Sequence, residues 1–148
     1  MSEDSNLDQE LLPITRELIA QQLQSDGITC FVDDSGDVRA YLDDTHFKFI
    51  LGGEHEHILC IYGFPVRHFS ANNSEEISSF IESWHQNTVA PKIISHITDD
   101  GEVRIVSELA VNLGRGVTRA QLTDQMAFAV TSTRMFMQQL LGALTRSE

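Results

Sequence analysis

The sequence predicts an α+β fold, a mainly antiparallel sheet covered by helices in the order helix, about four strands, helix, two strands, helix. Three observations carry this. Apolar residues recur at helical spacing in three separated segments, a block of short β-branched and aromatic runs fills residues 28–66, and Asp- and Gly-rich turn signals punctuate that block. A chain of 148 residues fits one domain, and folding at that size buries roughly 68–70% of the unfolded chain's surface. The domain is expected over 13–148, behind a flexible acidic tail at 1–12.

Pro13 suits the first turn of the first helix, where its missing N–H costs nothing. Ile14, Leu18, Ile19 and Leu23 give that helix an apolar side, and Asp26-Gly27 stops it. Four strands are expected at 28–32, 38–42, 46–51 and 57–64, separated by Asp33-Asp34-Ser35-Gly36-Asp37, by Asp43-Asp44 and by Gly52-Gly53-Glu54. Asn73 with Glu76 resembles a capping box, and Ile77, Phe80, Ile81 and Trp84 follow at i, i+3, i+4, i+7. Trp84 completes a helical core stripe there, so core is favoured over interface. Two further strands, 92–98 and 102–109, flank the hairpin signal Asp99-Asp100-Gly101. Gly114 and Gly116 break the next loop, and Thr118 with Gln121 opens the last helix.

That last helix, 118–144, carries more apolar surface than one packed face needs. Leu122, Met126, Ala129, Val130, Phe136, Met137, Leu140, Leu141 and Leu144 share one broad stripe. Phe128 and Met135 fall on the opposite side, i and i+7 apart, among Gln121, Asp124, Ser132 and Gln139. Phe128 and Met135 are therefore the candidate partner-binding residues. The competing reading is a helix sandwiched between sheet and another helix, with both stripes buried in one chain.

A formal net charge of −12 argues against nucleic acid, whose phosphates call for clustered Lys and Arg, and against anionic membranes. No apolar run approaches the ~18 residues of a spanning helix, and the acidic N-terminus lacks the basic flank and apolar core of a secretory signal. A cytoplasmic protein is expected. Cys30 and Cys60 lie in strand-like runs and read as free, partly buried thiols in a reducing compartment.

No constellation reads as a reaction centre. His55-Glu56-His57 comes nearest to a metal site, with two imidazoles on one side of a strand, but zinc wants three or four protein ligands and the solvated-turn reading is favoured. Asp33, Ser35 and Asp37 alternate as in a calcium loop, yet Val38 occupies the turn position that needs glycine and Asp44 replaces the closing Glu. Gly114-Arg115-Gly116 lacks the Lys-Ser/Thr of a phosphate loop, although Arg115 and Arg119 near a helix N-terminus could hold an anion. No catalytic residue, cofactor or metal is expected, and the chain reads as a non-enzyme.

Trp84-His85-Gln86-Asn87 closing a helix, Pro91-Lys92 entering a strand, Asp99-Asp100-Gly101-Glu102-Val103, and Gly116-Val117-Thr118 with Gln121-Leu122 together resemble the YbjN family of small bacterial proteins. The family pattern usually has Trp-Asn where this chain has Trp84-His85, and an aromatic residue where it has Val89-Ala90. The resemblance implies a fold similar to type III secretion chaperones, which are acidic, commonly dimeric and bind other polypeptides. It also implies a role as a sensory transduction regulator. The expected function is thus a protein-binding module, chaperone-like or regulatory, acting on a protein partner or as a homodimer. The alternative is a small-molecule or metal sensor.

Overall fold

Burial alternates residue by residue along the long strands, which gives the sheet two unlike faces. The computed structural model describes residues 9–146. Its strands are β1 (Cys30–Val32), β2 (Val38–Leu42), β3 (Thr45–Gly52), β4 (Ile58–Pro65), β5 (Phe69–Ser70), β6 (Lys92–Ile97) and β7 (Glu102–Asn112). The helices are α1 (Arg16–Ser25), α2 (Ser74–Asn87) and α3 (Arg119–Arg146). The element order is the predicted one, with β5 as an addition too short to be signalled by pattern.

All strand pairs are antiparallel, and β1, β2, β3, β4 and β7 neighbour one another in that order. Ser107 of β7 pairs with Gly63 of β4 on one flank and Ile93 of β6 on the other. Val103 pairs likewise with Phe69 of β5 and Ile97 of β6. So β4 and β5 share one flank of β7 in tandem, and β1 and β6 are the sheet's edges.

Of the predicted tail, residues 1–8 lie outside the described residues. Leu12 is held in a bridge with Val117, each N–H donating to the other's carbonyl at 2.9 Å. That extended pairing explains why α1 starts three residues after Pro13 rather than on it. Thr15 caps the helix instead, its hydroxyl accepting from the Leu18 N–H at 3.0 Å. At the other end the Ile28 N–H reaches the Leu23 carbonyl and the Gly27 N–H reaches Gln24, a Schellman closure that needs Gly27 at φ +79°.

The capping box expected at Asn73 does not form: Asn73 makes no side-chain cap bond. A 3₁₀ turn at Ala71–Asn73 leads into α2 instead, capped by Ser70, whose hydroxyl accepts from the Asn72 N–H. The box at α3 does form. The Gln121 N–H donates to the Thr118 hydroxyl and the Thr118 N–H to Gln121 Oε1, both at 3.0 Å.

All three helices lie on one face of the sheet. One core cluster joins Leu18, Ile19 and Leu23 of α1 and Leu122, Met126 and Ala129 of α3 to the inward residues of β2, β3 and β4, Phe47 and Phe49 among them. A second joins Ile77, Ile81 and Trp84 of α2 and Phe136, Met137 and Leu140 of α3 to Ile93, Val103 and Ile105. Trp84 is buried, donates Nε1–H to the Pro91 carbonyl at 3.1 Å, and meets Phe136 edge-on at 5.3 Å. The 28-residue α3 spans both clusters.

Between them Gly63 lets α3 approach the sheet. A Cβ there would press on the Ser107 hydroxyl and sit 3.0 Å from Phe47 and 3.3 Å from Thr133. The buried Ser107 and Thr133 hydroxyls bond at 2.8 Å across that approach.

Candidate partner-binding surfaces

The helices leave two surfaces uncovered, one on each side of the molecule. On the helical side, α1 packs beside the first half of α3, where Gln22 donates to the Thr123 hydroxyl at 2.7 Å and that hydroxyl to Asp26 at 3.0 Å. α2 packs beside the second half. Neither covers the outermost line of α3. Phe128 stays 47% exposed and Met135 46% exposed, so the reading in which both apolar stripes are buried within this chain does not hold.

Ser132, expected beside them, is buried instead. Its hydroxyl folds back onto the Phe128 carbonyl, which satisfies the polar group inside the helix and allows it to face inward. Next to the stripe, Leu23, Ile28, Leu42, Phe49, Met126 and Val130 line a groove of about 260 Å³ between α1, the sheet and α3. Its α3 wall includes Ala127, Thr131 and Arg134, which alternate with Phe128 and Met135 along the helix. Arg134 is ion-paired with Asp43.

Among the described residues no helix covers the far face of the sheet, and no sequence pattern singled that face out. A row of rings crosses four strands there. Phe31 stacks on Tyr41 with centroids 6.3 Å apart, Tyr41 on His46 at 4.5 Å, and His46 lies 5.9 Å from Phe64. Tyr62 continues the row along β4, 6.4 Å from Phe64. Phe31 and Tyr41 are 46% and 61% exposed.

Beyond the row come half-buried Ile50, Cys60 and Val106, with exposed Ile94 and Ala110. Burial, with Arg39 and Lys48 nearby, pushes the His46 pKa down, and the ring's Nε2 lies 3.3 Å from the Arg39 guanidinium, which can only donate to it. Burial and the Glu108 carboxylate push the Cys60 thiol up. Tyr62 is raised by the same two causes and by Cys60.

Charge divides between the faces. The strands hold Arg39, Lys48, Lys92 and Arg104, four of the ten Lys and Arg, but only Glu102 and Glu108 of the 22 Asp and Glu. All six share the parity of the uncovered face. Asp33 and Asp37 reach onto it from the β1–β2 turn, to Arg39 at 2.7 Å and to Lys48 at 3.8 Å. The face thus carries four cations and four carboxylates, Asp37 being shared with Arg16 of α1 at 3.9 Å and Glu102 paired with His68, and the net −12 lies elsewhere in the chain.

The polar constellations weighed in the sequence are occupied by turn chemistry. Asp33 Oδ1 accepts from the Ser35 and Asp37 N–H groups, and its Oδ2 from Arg39. His55 lies in the β3–β4 turn rather than on a strand, and His57 follows it just outside β4, their ring centroids 5.8 Å apart. Between them Glu56 pairs with Arg16 at 3.1 Å. Among the described residues no three His, Cys, Asp or Glu converge as a metal site. Gly116 shapes the turn at φ +96°, and at the start of the last helix the Thr118 and Gln121 N–H groups are taken by the Thr118–Gln121 box. Cys30 and Cys60 are free and stand three strands apart in the sheet. Among the described residues no helix is long and apolar enough to cross a membrane.

A family model, YbjN, described as a putative bacterial sensory transduction regulator, matches residues 15–141. The chain belongs to the YbjN family. The match runs from the α1 cap through most of α3, so it includes both uncovered faces. Among solved structures the chain is similar to E. coli YbjN, described as a putative transcription regulator. The TM-score is 0.73 at 14% identity, over 93% of this chain and 97% of that one. It is also similar to an uncharacterized protein from Methanothermobacter thermautotrophicus, with a TM-score of 0.60 at 12% identity over 87% and 98% of the two chains. At those identities the likeness shows the shared YbjN fold. No curated protein matches.

Proposed function

We propose that this YbjN-family chain is a non-enzymatic protein-binding module, chaperone-like or regulatory, that docks a polypeptide along the outer line of α3 and acts as a homodimer. One observation carries the reading: two large apolar side chains, Phe128 and Met135, stand nearly half exposed on the same helix line beside an apolar groove. Full burial of such side chains is worth about 1.5–3 kcal/mol each. The family's description as a sensory transduction regulator supports a regulatory role.

The test is Phe128→Asp with Met135→Asp. Both side chains lie outside the core, so the variant should fold, and a specific polypeptide recovered by the unaltered chain should be lost from it. Equal recovery by both proteins, or a double variant that unfolds like a core mutant, would remove the reading's residue-level support.

A second reading, a small-molecule sensor, draws on the groove itself: apolar walls with Arg134, Asp26 and Thr123 at hand suit a small amphipathic ligand. A ligand that raises the melting temperature, and no longer does so after Val130→Trp fills the groove, would favour it.

A further inference from the structure

We infer that the uncovered face of the sheet packs against the same face of a second copy of this chain. The inference rests on the self-association proposed above, but it places the copy on the opposite side of the molecule from Phe128 and Met135.

Three observations point to a second copy as the occupant. The first is the apolar content of the face. Strands β1, β2, β3 and β4 hold a continuous ring row from Phe31 to Phe64, and Ile50, Cys60 and Val106 extend it toward β6. Sheets that bury such faces pack about 10 Å apart as sandwiches.

The second is charge. Two chains of net −12 repel each other wherever acidic surface meets acidic surface. The sheet face carries four cations beside four carboxylates, two of the cations ion-paired there, so a copy approaching there meets less repulsion than at the acidic turns and helices. A neutral face also selects a neutral partner face, and the copy's own sheet is neutral by construction. A nucleic acid would gain little there, because a balanced face releases few counterions.

The third is size. The sheet is six strands wide where β4 and β5 share a flank. At a spacing of about 4.8 Å and a rise of about 3.4 Å per residue, its face covers roughly 650 Å². Two such faces bury roughly 1,300 Å² in total, within the ~1,200–2,000 Å² range of stable specific interfaces.

The pairing is isologous, and Ile50 and Cys60, cross-strand partners in the middle of the sheet, lie near its two-fold axis. Cys60 therefore reports on contact. Cys30 faces the helices, its thiol directed at the Ala20 carbonyl.

The experiment is light scattering on a sizing column at tens of micromolar, combined with thiol modification of Cys60 in a Cys30→Ser background. The expected mass is twice that of the chain. Ile50→Asp with Tyr62→Asp should halve it, Phe128→Asp with Met135→Asp should leave it unchanged, and Cys60 modification should slow several-fold as the Cys30→Ser chain, its sheet face unaltered, is concentrated. A dimer lost through the α3 pair but kept by the sheet pair would overturn this inference while leaving self-association standing. A monomer at tens of micromolar would overturn both.

If the sheet variant fails to fold, the concentration dependence of Cys60 reactivity decides: constant reactivity in a dimer of the full chain excludes the sheet face. Protection of Cys60 only when a single-stranded oligonucleotide or another polypeptide is added would also overturn the inference.

Discussion

Gly63→Ala tests the account of how α3 seats on the sheet. The residue is buried on β4, facing Thr133 of α3 and flanked by Ser107 and Phe47. An added methyl would press on the Ser107 hydroxyl and lie 3.0 Å from a ring carbon of Phe47, which is fully buried and has nowhere to retreat. Overpacking of this kind costs about 1–3 kcal/mol. Displacing Ser107 also strains its 2.8 Å bond to Thr133, worth about 0.5–1.5 kcal/mol. The alanine returns about 0.4–1 kcal/mol by stiffening the unfolded chain.

The net loss should be about 1–3 kcal/mol, which for a chain of this size lowers Tm by roughly 2–4 °C per kcal/mol. Urea unfolding followed by the fluorescence of Trp84, the sole tryptophan and a buried one, measures it. Removing the hydroxyl supplies the control. In Ser107→Ala, Thr133 keeps its 2.7 Å bond to the Ala129 carbonyl, so no buried hydroxyl is orphaned and Gly63→Ala should cost less in that background. A fully additive pair would move the clash from Ser107 to Phe47. A Gly63→Ala variant as stable as the parent would refute the close approach altogether.

Leu140→Ala, fully buried between α2 and the sheet, should cost about 2–5 kcal/mol in the same assay, unlike the changes at Phe128 and Met135. Trp84→Phe should cost about 1–3 kcal/mol, because it leaves the Pro91 carbonyl without its Nε1 donor; a neutral result would mean that water replaces the bond. Arg39 and the turn amides hold the Asp33 carboxyl below its ordinary pKa. Its contribution is therefore present above about pH 4 and lost as the pH falls through the lowered value. Asp33→Asn should flatten the acid limb of a urea midpoint against pH profile, and identical profiles for the two proteins would refute the pairing.

Local chemistry made most of the fold legible. The spacing of Ile77, Phe80, Ile81 and Trp84, the Thr118–Gln121 box, and the turns at Asp33–Asp37 and Asp99–Gly101 all act within a few residues, and each sits where its pattern placed it. The misses needed distant partners. Pro13 fits a helix start, but Val117, far along the chain, holds Leu12 extended. Ser132 has outer-face polarity, yet the hydroxyl bonds its own helix and turns inward. Gly63 carries no signal of its own within the strand expected at 57–64, and only the crossing of α3 gives it a purpose.

The site divides in the same way. The outward position of Phe128 and Met135 was legible because helical period alone separates them from the core stripe, and the structure leaves both exposed. The sheet face was not, because alternation along a strand says that one side is different without saying whether a helix covers it. That depends on all three helices choosing the same side, a consequence of α1 and α2 both packing beside α3. Net charge misleads for the same reason. An acidic total describes the average surface, whereas the alternation that builds the sheet collects Arg39, Lys48, Lys92 and Arg104 on one face and leaves most acids to turns and helices. What a partner meets is a face, so a chain of net −12 can present to it a neutral, ring-lined sheet.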